Sequence, residues 1–152
     1  MTTLLLLSVL LGLLAASAVQ RVPEGQVYSL YRRGKPLRLL SPGTHWRLPL
    51  LERVAHRIDL GGRVLRFQEP LADASHDVRG TVYWQVLEPE RADAVIEQAD
   101  QLIRHGALDA LRREAAPVQA DRRDLGSRLK QALNGLLRER GLMVTRVELD
   151  IA

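Results

Sequence analysis

The first twenty residues carry no charged side chain, so all 22 basic and all 18 acidic residues of the 152-residue chain lie in 21–152. That one step in charge constrains the chain more than any motif does. The stretch from Leu4 to Val19 is apolar apart from Ser8, Gly12 and Ser17, and it is carried by Leu4, Leu5, Leu6, Leu7, Val9, Leu10, Leu11, Leu13, Leu14 and Val19. With Met1, Thr2 and Thr3 it forms an uncharged run of roughly 28 Å at 1.5 Å per helical residue, close to a ~30 Å hydrocarbon core. The reading is a membrane anchor over residues 1–20. A cleaved secretory signal is the alternative, because Ala16-Ser17-Ala18 has the A-x-A form of a cleavage site. Against it, no basic residue precedes Leu4. A buried core helix is the third option. Arg21, Arg32, Arg33 and Lys35 follow the apolar run, so the positive-inside tendency places the rest of the chain on the cytoplasmic face. Only the initiator amine stands on the other side of that comparison.

Residues 21–152 have the size of one ordinary domain. With no cysteine anywhere, disulfides, thiolate nucleophiles, Cys-ligated zinc and lipid attachment at cysteine are excluded. All six aromatic residues fall between Tyr28 and Trp84, and the remainder is rich in Ala, Leu, Glu and Arg. The composition predicts an α+β fold, strand-rich over 21–87 and helix-rich with a terminal strand over 88–152. Turn signals divide the first half. Gln26–Tyr31 reads as a strand, Arg33-Gly34-Lys35-Pro36 as a turn, Leu37–Leu40 as the return strand, and Trp46–Leu48 as a short strand ended by Pro49. Val54, His56, Ile58 and Leu60 alternate with polar or small residues, and Val64–Gln68 reads as a further strand. Val78–Leu87 is the clearest, with Val82, Trp84 and Val86 on one face.

In the second half, Pro89 suits a first helical turn, and Ala92, Val95, Ile96, Ala99, Leu102 and Ile103 make one apolar helix face. Gly106 is expected to interrupt it, with a second short helix over Ala107, Leu108, Leu111 and Ala115 before Pro117. Asp121 reads as the N-cap of a third helix carrying Leu125, Leu129, Ala132, Leu133, Leu136 and Leu137, and Gly141 as its C-terminal glycine. Leu142–Ile151 returns to strand, with a change of parity between Val144 and Val147 that fits a bulge or a strand buried on both faces.

The order of these motifs resembles the stomatin/prohibitin/flotillin superfamily, the SPFH or band 7 domain. The residues that carry the likeness are Val22-Pro23-Glu24-Gly25-Gln26 after the apolar segment, Arg33-Gly34-Lys35, Ser41-Pro42-Gly43-Thr44-His45-Trp46, and Leu48-Pro49-Leu50-Leu51-Glu52-Arg53-Val54. Asp77 with the Val78–Val86 strand and Glu88-Pro89-Glu90 continues it, and Asp121–Leu125 with Gly141–Leu149 closes it. Gly25, Gly34, Pro42, Gly43, His45, Pro49, Asp77, Pro89 and Gly141 are its motif positions. The segment from Leu60 to Asp77 is loosely matched. Many members continue into a long coiled coil, whereas this chain stops at Ala152, so a short form is expected.

The resemblance implies a non-enzymatic scaffold in a membrane, self-associating at the bilayer to organise lipids or regulate membrane proteins such as proteases. A regulatory subunit of one membrane protease or channel, and a secreted binding domain released near Ala18, stand as alternatives. Localisation is expected to be a single-pass protein of the bacterial inner membrane. No cofactor, metal or nucleic-acid partner is expected. The four histidines are scattered, His76-Asp77 is the one His–carboxylate neighbour pair, and no phosphate-loop, dinucleotide or nucleophile-elbow motif occurs. A Ser–Lys dyad would need Lys35 or Lys130, both in solvated contexts by pattern.

Charge is uneven. Residues 21–66 hold 10 basic against 3 acidic groups, while 88–152 hold 11 against 12. A basic surface beside the anchor would attract anionic headgroups, although 20 of the 22 basic residues are Arg, a bias that a GC-rich genome also produces. Leu48-Pro49-Leu50-Leu51 is read either as a segment dipping into the bilayer interface or as core packing between two strands.

Overall fold

A computed structural model describes residues 1–71, 75–114, 117 and 119–152. The chain forms two compact units, Met1–Asp59 and Leu60–Ala152.

The first unit begins with helix α1, Thr2–Ser17, none of whose side chains is buried. It is followed by strands β1 (Val19–Val22), β2 (Gln26–Arg32), β3 (Lys35–Leu40), β4 (Gly43–Trp46) and β5 (Glu52–Asp59). The N-terminal helix is shorter than the expected segment of residues 1–20. The helix closes at Ser17, and Val19 enters a strand because Val19–Val22 pairs antiparallel with Gly43–Trp46, which satisfies backbone groups that a longer helix would leave to the next turn. Sixteen residues rise about 24 Å, and among the described residues no helix is long and apolar enough to cross a membrane. β4 also starts earlier than the Trp46–Leu48 strand read from the sequence, for the same pairing reason, and Leu48 lies beyond it.

β3, β2 and β5 form an antiparallel sheet in that order. β2 and β3 are joined by Arg33-Gly34, both at positive φ, which is the geometry of a two-residue hairpin turn. Val22, Tyr28, Leu30 and Leu40 form a buried cluster with Val54 against it.

The second unit holds β6 (Arg63–Pro70), β7 (Asp77–Val86), α2 (Pro89–Ala92), a 3₁₀ turn at Ile96–Gln98, α3 (Ala99–Arg113), α4 (Arg122–Leu137), a second 3₁₀ turn at Arg138–Arg140, and β8 (Leu142–Ile151). Its antiparallel sheet has the order β6-β7-β8. Val82, Trp84 and Val86 are buried, as the alternation predicts, and the β7–β8 register shifts between Tyr83 and Trp84, which is the bulge that the parity change signalled. Asp121 caps α4 by accepting the Arg123 N–H.

The helical reading before Asp121 is corrected at two points. The apolar spacing from Ala92 to Ile103 is divided between α2, a turn and α3; spacing reports which residues are buried, not whether the backbone is continuous. Gly106, expected to interrupt, lies inside α3. A Cβ there would meet Leu133 and Leu136 side-chain carbons at 3.0 Å, so the glycine lets α3 approach α4. Ala115 lies outside the described residues.

Gly141 ties the start of β8 to the β7–α2 junction. It has φ of 72°, its carbonyl accepts the N–H groups of Leu87 and Glu88, and a Cβ would lie 2.3 Å from the Glu88 oxygen. Gly80 opposes Phe67 across β6 and β7, and a Cβ there would fall 2.2 Å from the ring. Gly141→Ala combines backbone strain with overlap on a main-chain oxygen, and is expected to cost about 3 kcal/mol. Gly135→Ala, where a Cβ meets open space, should be stabilising by up to about 1 kcal/mol. Urea unfolding of the two variants in mild detergent measures both; equal stabilities would contradict the packing described.

Candidate functional site

The feature of the first unit that its own folding does not explain is exposed apolar surface. Leu4, Leu5, Leu6, Leu7, Val9, Leu10, Leu11, Leu13 and Leu14 of α1 are all exposed, as is Val19. So are Trp46 at 69%, Leu48 at 50%, Leu50 at 86% and Leu51 at 51%. Burying a Leu side chain is worth about 1.5–3 kcal/mol, so leaving this many outside calls for a reason. Continuous apolar surface beyond a few hundred Å² marks an interaction face.

The two sets meet. Leu11, Leu14 and Ala15 of α1 and Leu48, Pro49, Leu50 and Leu51 line one apolar cleft of about 590 Å³. The base of α1 is tied to this segment by the Arg47 N–H donating to the Ala18 carbonyl at 2.8 Å, and by Val19 pairing with Trp46. Of the two readings of Leu48–Leu51, core packing is thus not what the side chains do: Leu48, Leu50 and Leu51 are exposed beside α1.

A polar framework under the cleft fixes this geometry. Glu52, the first residue of β5, is only 6% exposed. Its carboxylate accepts the Arg32 Nη2 at 2.7 Å and the Leu48 N–H at 3.1 Å, and its own N–H donates to the Leu48 carbonyl at 2.8 Å. Arg47 Nη1 donates to the Glu52 carbonyl at 3.1 Å, and Arg38 Nη2 to the Trp46 carbonyl at 2.5 Å. The Leu48–Leu51 segment is therefore clamped at its base, which makes it a closed turn with its apolar side chains outward. The Leu48 N–H, followed by the Arg32 and Arg38 guanidiniums, holds the Glu52 carboxyl below its ordinary value against the opposing effect of burial.

The basic residues singled out by the sequence divide here. Arg32 is paired to Glu52. Arg33 and Lys35 are exposed at the hairpin turn, at the same end of the sheet, since Arg32 is opposite both Lys35 and Glu52. Arg21 is exposed on β1 opposite Thr44. The family-motif positions sit at bends and junctions. Gly25 precedes β2 at φ 77°, Pro42-Gly43 turns β3 into β4, and the His45 Nε2 is 2.7 Å from the Ser41 carbonyl. Pro49 is in the clamped turn. In the second unit Asp77 pairs with Ala152 through both main-chain hydrogen bonds, and Pro89 opens α2. Sequence reasoning missed two residues. Trp46 reads in sequence as a strand and family-motif residue with no interface role, although an aromatic flanking an apolar stretch is a signal of an interface. Glu52 is an ordinary surface type in sequence, and only the fold buries it. Among the described residues, no three His, Asp or Glu side chains converge in a way that could hold a metal ion.

Residues 20–151 match the model of the SPFH domain / Band 7 family, and the chain belongs to that family. It is 26% identical over 140 residues to an uncharacterized protein of Schizosaccharomyces pombe, covering 86% of this chain and 40% of that protein. It is 24% identical over 132 residues to stomatin-like protein 2, mitochondrial, of Homo sapiens, covering 81% of this chain and 37% of that protein; the Rattus norvegicus protein of that name is 23% identical over the same length. The chain spans about two fifths of the length of the curated relatives it matches.

The Glu52 clamp predicts a pH dependence. A carboxyl whose folded value is lowered stabilises fully above the ordinary carboxylate range, and that contribution is lost as pH falls below it through the folded value. Glu52→Gln is expected to lower stability by about 2 kcal/mol at neutral pH, from weakened charge-assisted bonds, and to flatten the acid limb of the stability curve. An unchanged acid limb in thermal melts between pH 7 and pH 3 would rule out the clamp as the titrating element.

Proposed function

We propose that this protein is a non-enzymatic, membrane-associated scaffold of the SPFH class, whose α1 and Leu48–Leu51 turn embed together in a lipid bilayer. The observation that carries the reading is the apolar cleft shared by α1 and the clamped turn, with Trp46 exposed two residues before that turn. Lipid is the environment that removes the cost of this exposure without a specific protein partner. The reading requires insertion of the lobe, not a crossing of the membrane by α1.

Embedding every copy by the same lobe orients the copies alike and raises their local concentration. Contacts between neighbours then form at an effective concentration far above that in solution. Family membership supports self-association as the next level, and regulation of a membrane protease or channel as its use.

Flotation of the whole chain with phosphatidylcholine vesicles tests the lobe. Leu50→Asp with Leu51→Asp is expected to lower the bound fraction at least tenfold while circular dichroism stays unchanged. Equal flotation of the variant would remove the turn from the membrane contact. Crosslinking in native membranes tests the scaffold: oligomers are expected, and a strictly monomeric species would count against it.

A further inference from the structure

The sheet of the second unit has two edges, and the fold treats them differently. Asp77 and Ala152 exchange both main-chain hydrogen bonds, and in an antiparallel ladder the bonding direction alternates residue by residue. Ile151, Leu149 and Val147 therefore turn their main-chain groups away from β7, to the outer side of β8. That side is closed by α4. The Asn134 side chain accepts the Val144 N–H at 2.8 Å and donates to the Val144 carbonyl at 3.0 Å, as a neighbouring strand would. A Cβ on Gly126 would lie 2.8 Å from the Val147 oxygen, so α4 lies directly against it, and Leu149 is buried.

The other edge, β6, is open. Its ladder with β7 has no register shift, and at the turn end the Leu71 N–H donates to the His76 carbonyl. The same alternation turns Glu69, Phe67 and Leu65 toward β7, and Gln68, Arg66 and Val64 outward. The outward three are exposed, Val64 at 51%. Among the described residues nothing pairs with their main-chain N–H and carbonyl groups. Pro70, which has no N–H, ends the open stretch. Side chains alternate along with the main chain. Arg66 stands on the outer face of the sheet and forms no ion pair among the described residues. On the other face Leu65 is half-buried and Glu69 is committed to Arg104. An open edge without a bulge is a template for an extended chain.

We propose that β6 is a docking edge for a partner protein, which adds an extended segment to the sheet with carboxylates on the face of Arg66 and apolar side chains on the face of Leu65. This goes beyond the embedding proposed above and does not depend on it. Main-chain pairing supplies the attachment, and the two faces supply the choice. A carboxylate beside Arg66 gains a guanidinium that has no acid of its own. An apolar residue beside Leu65 covers a side chain that the unit leaves half outside. A second copy fits less well. From this unit it has only β6 to offer, since its β8 edge lies under α4. Two β6 strands would bring Arg63 and Arg66 of both copies together, against glutamates already paired with Arg104.

The experiment follows amide hydrogen exchange by NMR in the whole chain in mild detergent. The chain is measured alone and with a synthetic peptide of about seven residues in which glutamate and valine alternate, a length that matches the open stretch. In the free chain the Val64, Arg66 and Gln68 amides are expected to exchange fast, and those of Leu65, Phe67 and Glu69 slowly. The peptide at saturation is expected to slow the first three by about tenfold. Arg66→Glu is expected to weaken binding of the peptide by about tenfold. Val64→Pro removes an outward donor and no β7 bond, and is expected to weaken it as much while the β7 amides stay protected. Slow exchange of Val64, Arg66 and Gln68 in the free chain overturns the open edge. Protection there that rises with protein concentration, without peptide, assigns the edge to a second copy and overturns the partner. Equal slowing by a peptide with lysine in place of glutamate overturns its acidic character. No slowing by the glutamate peptide, or an affinity unmoved by both variants, overturns the docking edge itself. Both variants are expected to float with vesicles as the wild type does, so the docking edge and the embedding fail separately.

Discussion

The first unit depends on one buried carboxylate. Glu52 sits at the start of β5, takes hydrogen bonds from a guanidinium and a main-chain amide, and closes the Leu48–Leu51 turn with its own backbone. Removing a charge from water is costly unless it is paired and hydrogen-bonded, and this one is both. What the arrangement achieves is the opposite of core formation: it spends no apolar side chain on the interior of the turn and leaves Leu48, Leu50 and Leu51 outside. The proposed membrane contact is thus built on a polar foundation.

The second unit is held by close backbone approach. Gly141 accepts two amides from the β7–α2 junction at a distance no side chain would allow, Gly80 receives the ring of the chain's single phenylalanine, and Gly106 admits two leucines of α4. The apolar interior of Trp84, Ile103, Leu125, Leu129, Leu133 and Leu142 packs around those contacts. Among the described residues of this unit the exposed large apolar side chains are Val64, Leu87 and Leu136, against nine on α1 alone.

Much of this was legible in the chain. The β7 alternation, the Asp121 cap, the Gly141 terminus and the β8 bulge are local signals, each caused by residues within a few positions of one another, and each appears in the structure. The misread elements are those decided by distant partners. Val19 looks like the end of an apolar helix until Trp46 pairs with it. Gly106 looks like a breaker until α4 is placed against it. The basic residues of the candidate site looked alike as a cluster, and only pairing with Glu52 separates Arg32 from Arg33 and Lys35.

By itself, the sequence determined that an uncharged apolar segment precedes a charged strand-then-helix chain, that cysteine chemistry is absent, and that the motif order is that of an SPFH domain. These follow from composition, periodicity and turn residues, which act over short range. The tertiary structure decided where the first helix stops, that Leu48–Leu51 stands outside beside it, and which arginines are committed to holding it there. Those outcomes depend on strand pairing and on a buried carboxylate finding its cation across twenty residues of chain, and no local pattern encodes which partner wins.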